Sequence, residues 1–321
     1  MKKLIIALLF VAFVVTGCGS NKERVIIYAS TEEYRNQEMI AQLKEQFPQY
    51  DIVVQYISTG NNAAKVKTEG KAIEADIIHG LELAHAEALK ENFASLDFNL
   101  DHYLDGVNPE HGKYVMWEKY TASIIINKTY FEANNLPIPA TYDDLLNPVY
   151  EGLIAMPDPK TSGTGYMYVL NVLNVYGEDA GYAYFDELQK NIKQFTSSGS
   201  GPINLLNQGE IAIAMGMTFH GADEITKGAN YEIIELDTFT PYNYTASSII
   251  DGKETRECVR EVFEWLITEW NLYDKENFVP SKILEVQENY VANFPSDLQD
   301  ADMTGVESSA KKDEIISKWK Y

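Results

Sequence analysis

The chain has 321 residues, enough for two cores of about 150 residues each. A hydrophobic share of 45%, a charged share of 23% and the lack of any low-complexity run exclude disordered, collagen-like and coiled-coil architectures. The 48 Asp and Glu against 26 Lys and Arg give a net charge of -22, which repels a phosphate backbone and excludes nucleic acid as a partner.

Met1, Lys2 and Lys3 precede an apolar run from Leu4 to Val15, too short to span a bilayer core of about 30 Å but suited to an export signal. Val15-Thr16-Gly17-Cys18 resembles the bacterial lipoprotein box, so residues 1–17 are expected to be removed and Cys18 to carry the lipid. Residues 18–24 then form a polar linker, and the protein is held at the cell envelope by its acyl chains. Cys258, the other thiol, sits on an apolar helical face and reads as core.

The body alternates strands with helices. Val25–Ala29 reads as a strand, followed by a helix that Ser30 or Thr31 caps and Pro48 closes. Ile52–Ile57 and Ala75–Gly80 are the next two strands, with a helix opening at Ser58-Thr59-Gly60 between them, an order that implies a parallel sheet with right-handed crossovers. Thr121–Asn127 and Leu153–Pro157 begin a second alternating block. Its helices are expected at Tyr166–Tyr176 and Ala180–Asn191, and its later strands at Ile211–Met217 and Tyr231–Leu236. Residues 237–250 read as a return crossing, Glu254–Trp270 as a helix and Asp313–Trp319 as a short closing helix. The expected division is a first lobe of 25–122 plus about 247–321 and a second lobe of 123–246.

In open parallel sheets, ligands bind beyond the carboxyl ends of the strands, where helix N-termini present free N–H groups. The polar residues there are Thr31 and Glu32, Ser58-Thr59-Gly60, Glu82, Thr161-Ser162-Gly163-Thr164, Ser198-Gly199-Ser200, and Thr218 with His220. Glycine lets the backbone approach an oxyanion, and hydroxyls add donors without charge, although each loop alone reads equally as a helix cap or turn. His220 reads evenly as a ligand contact or a loop histidine, His79 as structural, and His85, His102 and His111 as surface residues. Zinc spacings, the nucleophile elbow, the Walker A loop and the dinucleotide fingerprint are missing, which leaves no expected metal, cofactor or catalytic residue.

Ala75-Asp76-Ile77-Ile78, Ser123-Ile124-Ile125-Ile126-Asn127-Lys128, Pro157-Asp158-Pro159 before Ser162-Gly163-Thr164-Gly165, Ser198-Gly199-Ser200-Gly201-Pro202 and Gln208-Gly209-Glu210-Ile211-Ala212-Ile213 occur in an informative order. With the opening Val25–Ser30 strand and Ser58-Thr59-Gly60, they resemble the extracellular solute-binding proteins of ABC importers, in the branch for ferric iron, 2-aminoethylphosphonate, thiamine and sugar phosphates. The resemblance implies a type II periplasmic-binding-protein fold, two α/β lobes joined by two crossover segments around a ligand cleft. It also implies a non-enzymatic monomer that captures a small anionic solute, an organophosphate or phosphonate, and docks on a membrane permease. The iron-binding members carry adjacent tyrosines where this chain has Phe219-His220, so ferric capture is the alternative; Glu32, Glu82 and His220 would then form a sparse metal set. A secreted phosphoester hydrolase is a further alternative, as is a ligand-sensing partner of a membrane kinase.

Overall fold

The computed structural model describes residues 22–280, 282–285 and 291–321. The signal segment and Cys18 lie outside them. The first lobe opens with β1 (Arg24–Ala29), α1 (Glu33–Gln46), β2 (Asp51–Tyr56), α2 (Thr59–Glu69), β3 (Ile77–Glu82) and α3 (Leu83–Leu89). The crossing strand β4 (Val115–Asn127) leads through α4 (Lys128–Asn134) into β5 (Ile154–Pro157), α5 (Gly163–Tyr176), α6 (Glu178–Leu188), β6 (Ile192–Thr196) and α7 (Gly201–Asn207). β7 (Ile213–Met217), α8 (Thr218–Thr226) and β8 (Tyr231–Ile234) complete that block, and β9 (Tyr242–Ile249) returns. α9 (Glu257–Trp265), a π-helical turn at Leu266–Trp270, α10 (Asn271–Asn277) and α11 (Ser309–Lys318) follow.

The three opening strands are parallel, as their alternation with helices predicts, with β1 between β2 and β3. The path of the sheet among the described residues is β2-β1-β3-β9-β4-β7-β5-β6, with β8 added on β4. β4 and β9 pair antiparallel from Val115↔Ser247 to Thr121↔Tyr242, and the far half of β4 pairs with β7 and β8 on its two edges. Two hydrophobic cores result, one built on Ile27, Ile77, Trp117, Phe263 and Trp270 and the other on Ile124, Met156, Tyr168, Phe185 and Met215. Cys258 lies fully buried in the first core, as its apolar spacing implies.

Several expectations shift. Neither Ser30 nor Thr31 caps α1: Glu32 holds the cap position, and the Thr31 hydroxyl is tied to Asn36 instead. β4 begins at Val115, six residues before the expected start, because its charged stretch Glu118-Lys119 hides the strand from hydrophobicity alone. The hydroxyl-glycine run Gly163-Thr164-Gly165 is the first turn of α5, and Thr218-Phe219-His220-Gly221 is the first turn of α8. The end of the chain also needs reassignment. Residues 303–321 were placed with the first lobe, but Met303, Val306, Ile315 and Trp319 are buried in the second core, where the Trp319 ring meets Phe185 at 5.1 Å and Phe195 at 5.6 Å. Trp319 and Ile315 bury their apolar surface there together, the indole making edge contacts with both rings.

Two consequences can be measured. Trp319→Ala removes a nearly buried indole, a loss expected to cost about 3–5 kcal/mol and to accelerate hydrogen exchange first in α5, α6 and β6. Exchange that accelerates first in β1 to β3 would contradict this packing. The second concerns histidines: burial depresses His79 to about 3 and both His85 and His220 to about 4. Below pH ~6.5 the unfolded chain takes up protons that the folded chain refuses, so stability falls as pH drops from about 6.5 toward 4, by about 1.4 kcal/mol per pH unit for each histidine. Denaturant titrations at pH 7 and pH 5 measure the slope, and His220→Gln should remove about one third of it. A flat profile over that window would mean the imidazoles are charged in the folded protein.

Candidate functional site

The strand ends of both lobes point at one hollow, lined from the first lobe by Ser30, Glu32, Tyr56, Ser58, Thr59, Gly80 and Glu82. The second lobe adds Thr161, Ser162, Gly163, Thr164, Ser198, Gly199, Ser200 and Met217, and the crossing strands add Glu118, Tyr120 and Thr245. Two helices of more than eight residues, α2 and α5, start at the wall with Thr59 and Gly163, and their first N–H groups have no intrahelical partner.

The hydroxyls divide into two groups. Some are occupied: the Thr59 hydroxyl accepts from the Glu82 N–H at 2.9 Å, Ser162 caps Gly165 N at 3.4 Å, and Ser198 and Ser200 meet at 3.2 Å. Others are free. The hydroxyls of Ser58, Thr161 and Thr245 are buried with no protein partner, and Ser58, although at the cap position of α2, makes no cap bond. A buried hydroxyl without a partner costs free energy, which a ligand oxygen would recover.

The lobes touch across this hollow. Gly60 N donates to the Thr161 carbonyl at 3.2 Å, and a Cβ on Gly60 would lie 2.4 Å from the Lys160 carbonyl oxygen. At Gly163 a Cβ would lie 2.6 Å from the Tyr120 hydroxyl and 3.2 Å from Glu82 Cγ. Both glycines are thus close-approach positions that let the jaws meet.

Three carboxylates line the hollow, each tied to a cation behind the wall. The fully buried Arg35 guanidinium donates to Glu32 at 2.7 Å, to Glu118 at 2.8 Å, and to both oxygens of Asp274 at 2.8 and 2.7 Å. Lys275 adds a 2.6 Å bond to Asp274 and lies 3.9 Å from the centre of the Trp117 ring. Burial opposes the Arg35 charge, but Asp274, Glu118 and Glu32 together raise its pKa. Burial also pushes up Glu32, whereas Asp274, despite its burial, is held below the usual carboxylate range by Arg35 and Lys275. Glu82 pairs with Lys312 of α11, both buried. Burial presses Lys312 well below its ordinary pKa, so its charge depends on the carboxylate beside it.

Of the residues predicted for the site, Glu32, Ser58, Thr59, Glu82, Thr161, Ser162, Gly163, Thr164, Ser198, Gly199 and Ser200 share this hollow. Thr31 and Gly60 stand just behind it, Thr31 bonded to Asn36 and Gly60 at the lobe contact. Thr218 is bonded to the Thr121 and Ser123 hydroxyls at 2.9 and 2.8 Å. His220 packs at 5.8 Å on the Tyr34 ring and 3.9 Å from Glu224, away from Glu32 and Glu82. Among the described residues no group of three His, Cys, Asp or Glu is arranged to hold a metal ion. Sequence reasoning missed Tyr56, an aromatic residue at the end of β2, Glu118, Tyr120 and Thr245, which lie mid-strand, and Lys312, which reaches the wall through Glu82 from far along the chain.

The comparisons agree with this architecture. The protein is 22% identical over 281 residues to a curated protein of Haemophilus influenzae, covering 82% of this chain and 78% of that one. The solved periplasmic binding protein AfuA from Actinobacillus pleuropneumoniae, described with fructose-6-phosphate bound, superposes with a TM-score of 0.79 at 22% identity, over 93% of this chain and 98% of its own. A periplasmic thiamin-binding protein superposes with a TM-score of 0.78 at 16% identity, over 94% and 97%. At these identities the superpositions establish the two-lobed fold. Residues 48–235 match the sequence profile of the bacterial extracellular solute-binding proteins, and with more than half of its length inside that profile the chain belongs to this family.

Proposed function

We propose that this protein captures a small solute carrying a phosphoryl or phosphonyl group in the cleft between its lobes and delivers it to an ABC permease, exported and held at the membrane by lipidated Cys18. The observation that carries the reading is the set of buried hydroxyls without a protein partner, Ser58, Thr161 and Thr245, beside the N-termini of α2 and α5. A phosphoryl group offers several acceptor oxygens at once, which neutral hydroxyls and helix N–H groups satisfy without a counter-charge. The strongly acidic composition does not oppose this, because the cleft glutamates are already paired with Arg35 and Lys312. The same pairing leaves few carboxylate oxygens for a ferric ion, which favours hard anionic donors. The sugar phosphate described with AfuA supports the phosphoryl class.

Ligand that touches Ser58 and Thr161 together stabilises the closed lobes, because only that arrangement makes both contacts. Calorimetry against organophosphates, phosphonates and ferric salts tests the reading: a phosphorus compound should bind, and silence toward all of them would overturn it. Ser58→Ala and Thr161→Ala should each weaken that binding about tenfold or more, the worth of a hydrogen bond to a charged group. Gly60→Ala places a methyl against the Lys160 carbonyl and should weaken binding while the thermal transition of each core persists. In small-angle scattering this variant should fail to contract on adding ligand, and contraction equal to that of the unmodified protein would show that the lobes close some other way.

A further inference from the structure

Glu82 and Lys312 form a contact that solute capture by hydroxyls leaves unexplained. Glu82 stands at the end of β3 in the first lobe and Lys312 on α11, whose Ile315 is anchored in the second core. The two are 230 residues apart in sequence and both are buried. Lys312 reaches Glu82 Oε2 and lies 4.4 Å from the centre of the Tyr166 ring on α5, a seat built for a cation. The His85 ring is 3.8 Å from the same carboxylate oxygen, but burial holds its pKa down to about 4, so Lys312 rather than the imidazole is the group bonded to Glu82.

The other oxygen differs. Glu82 Oε1 is buried with no partner, the sole carboxylate oxygen of that kind among the described residues, and Glu82 lines the hollow. A buried, unpaired carboxylate oxygen costs more than an unpaired hydroxyl and calls for a donor. The Thr59 hydroxyl beside it accepts from the Glu82 N–H, and Gly163 has no side chain to offer.

We propose that Lys312 is a positioning residue that holds Glu82 across the lobe junction, so that the free oxygen of Glu82 reads a hydroxyl or ammonium donor on the solute beside its phosphoryl group. The proposal rests on the phosphoryl reading of the same cleft and adds a second requirement to it: the solute is bifunctional. The hydroxyls and helix ends take its anion, and Glu82 takes its donor. Because Lys312 comes from the second lobe and Glu82 from the first, the fully competent acceptor exists only when the lobes are together. A solute without the donor leaves Glu82 Oε1 unsatisfied on closure, and the penalty rejects it.

The test uses pairs of probes that differ in the donor alone: 2-aminoethylphosphonate against ethylphosphonate, and glycerol 3-phosphate against propyl phosphate, titrated calorimetrically into the intact protein. In at least one pair the donor-bearing member should bind about 10- to 100-fold tighter. In Lys312→Met that ratio should fall toward unity, and the ratio, taken within one variant, cancels any general loss of affinity from disturbed packing. Equal binding within both pairs, or a preference that survives Lys312→Met, would overturn the role of this pair while leaving phosphoryl capture standing. Binding of none of the four probes would overturn both.

Discussion

One strand constrains everything else. β4 runs through both halves of the molecule as a single hydrogen-bonded element, so the residue at which it leaves the first core, near Glu118, and the residue at which it enters the second, Tyr120, face the ligand hollow by construction. Its register against β9 shifts between Met116 and Glu118, a bulge that re-aims the side chains where the strand changes lobes. β3 carries a second irregularity between Ile78 and Leu81, where Gly80 has a φ of +68° and lines the same hollow. Two of the sheet's irregularities thus lie at the hollow, where an extended ladder opens space beside itself.

The carboxylates around that hollow are paired with cations inside the wall. Glu32, Glu118 and Asp274 converge on Arg35, with Lys275 on the flank, in a network that joins α1, β4 and α10. Buried ion pairs of this kind contribute little net stability, because desolvation offsets most of the attraction. What they do is fix geometry: a bidentate guanidinium–carboxylate pair admits one orientation, which holds the first helix against the crossing strand. The wall of the hollow thus carries charges that balance one another locally.

Closure depends on close approach. Gly60 and Gly163 stand where the two lobes come within van der Waals distance, and any side chain at either position would wedge them apart. The C-terminal helix spans the same seam, packing against α3 of one lobe and α5 of the other. Hinged lobes closing around a solute gain contacts from both sides only in the closed state, so the affinity of each lobe alone is a poor guide to that of the pair.

The sequence by itself determined the alternation of strands and helices, the parallel opening sheet and most of the polar loops at the strand ends, because those features follow from local periodicity and from residues that favour turns. Ser58, Thr161 and Ser162 were legible for that reason. The placement of residues 303–321, the helical start of Thr218 to His220, the arrival of Glu118, Tyr120 and Thr245 in the hollow and the pairing of Lys312 with Glu82 were decided by tertiary structure alone. Each of these depends on which surfaces meet: Trp319 goes where Phe185 and Phe195 offer a matching aromatic pocket, and Lys312 reaches Glu82 only because that packing carries its helix across the seam. Local pattern encodes the elements and their ends; contacts across 230 residues of chain leave no periodic trace and exist only once the two cores have formed.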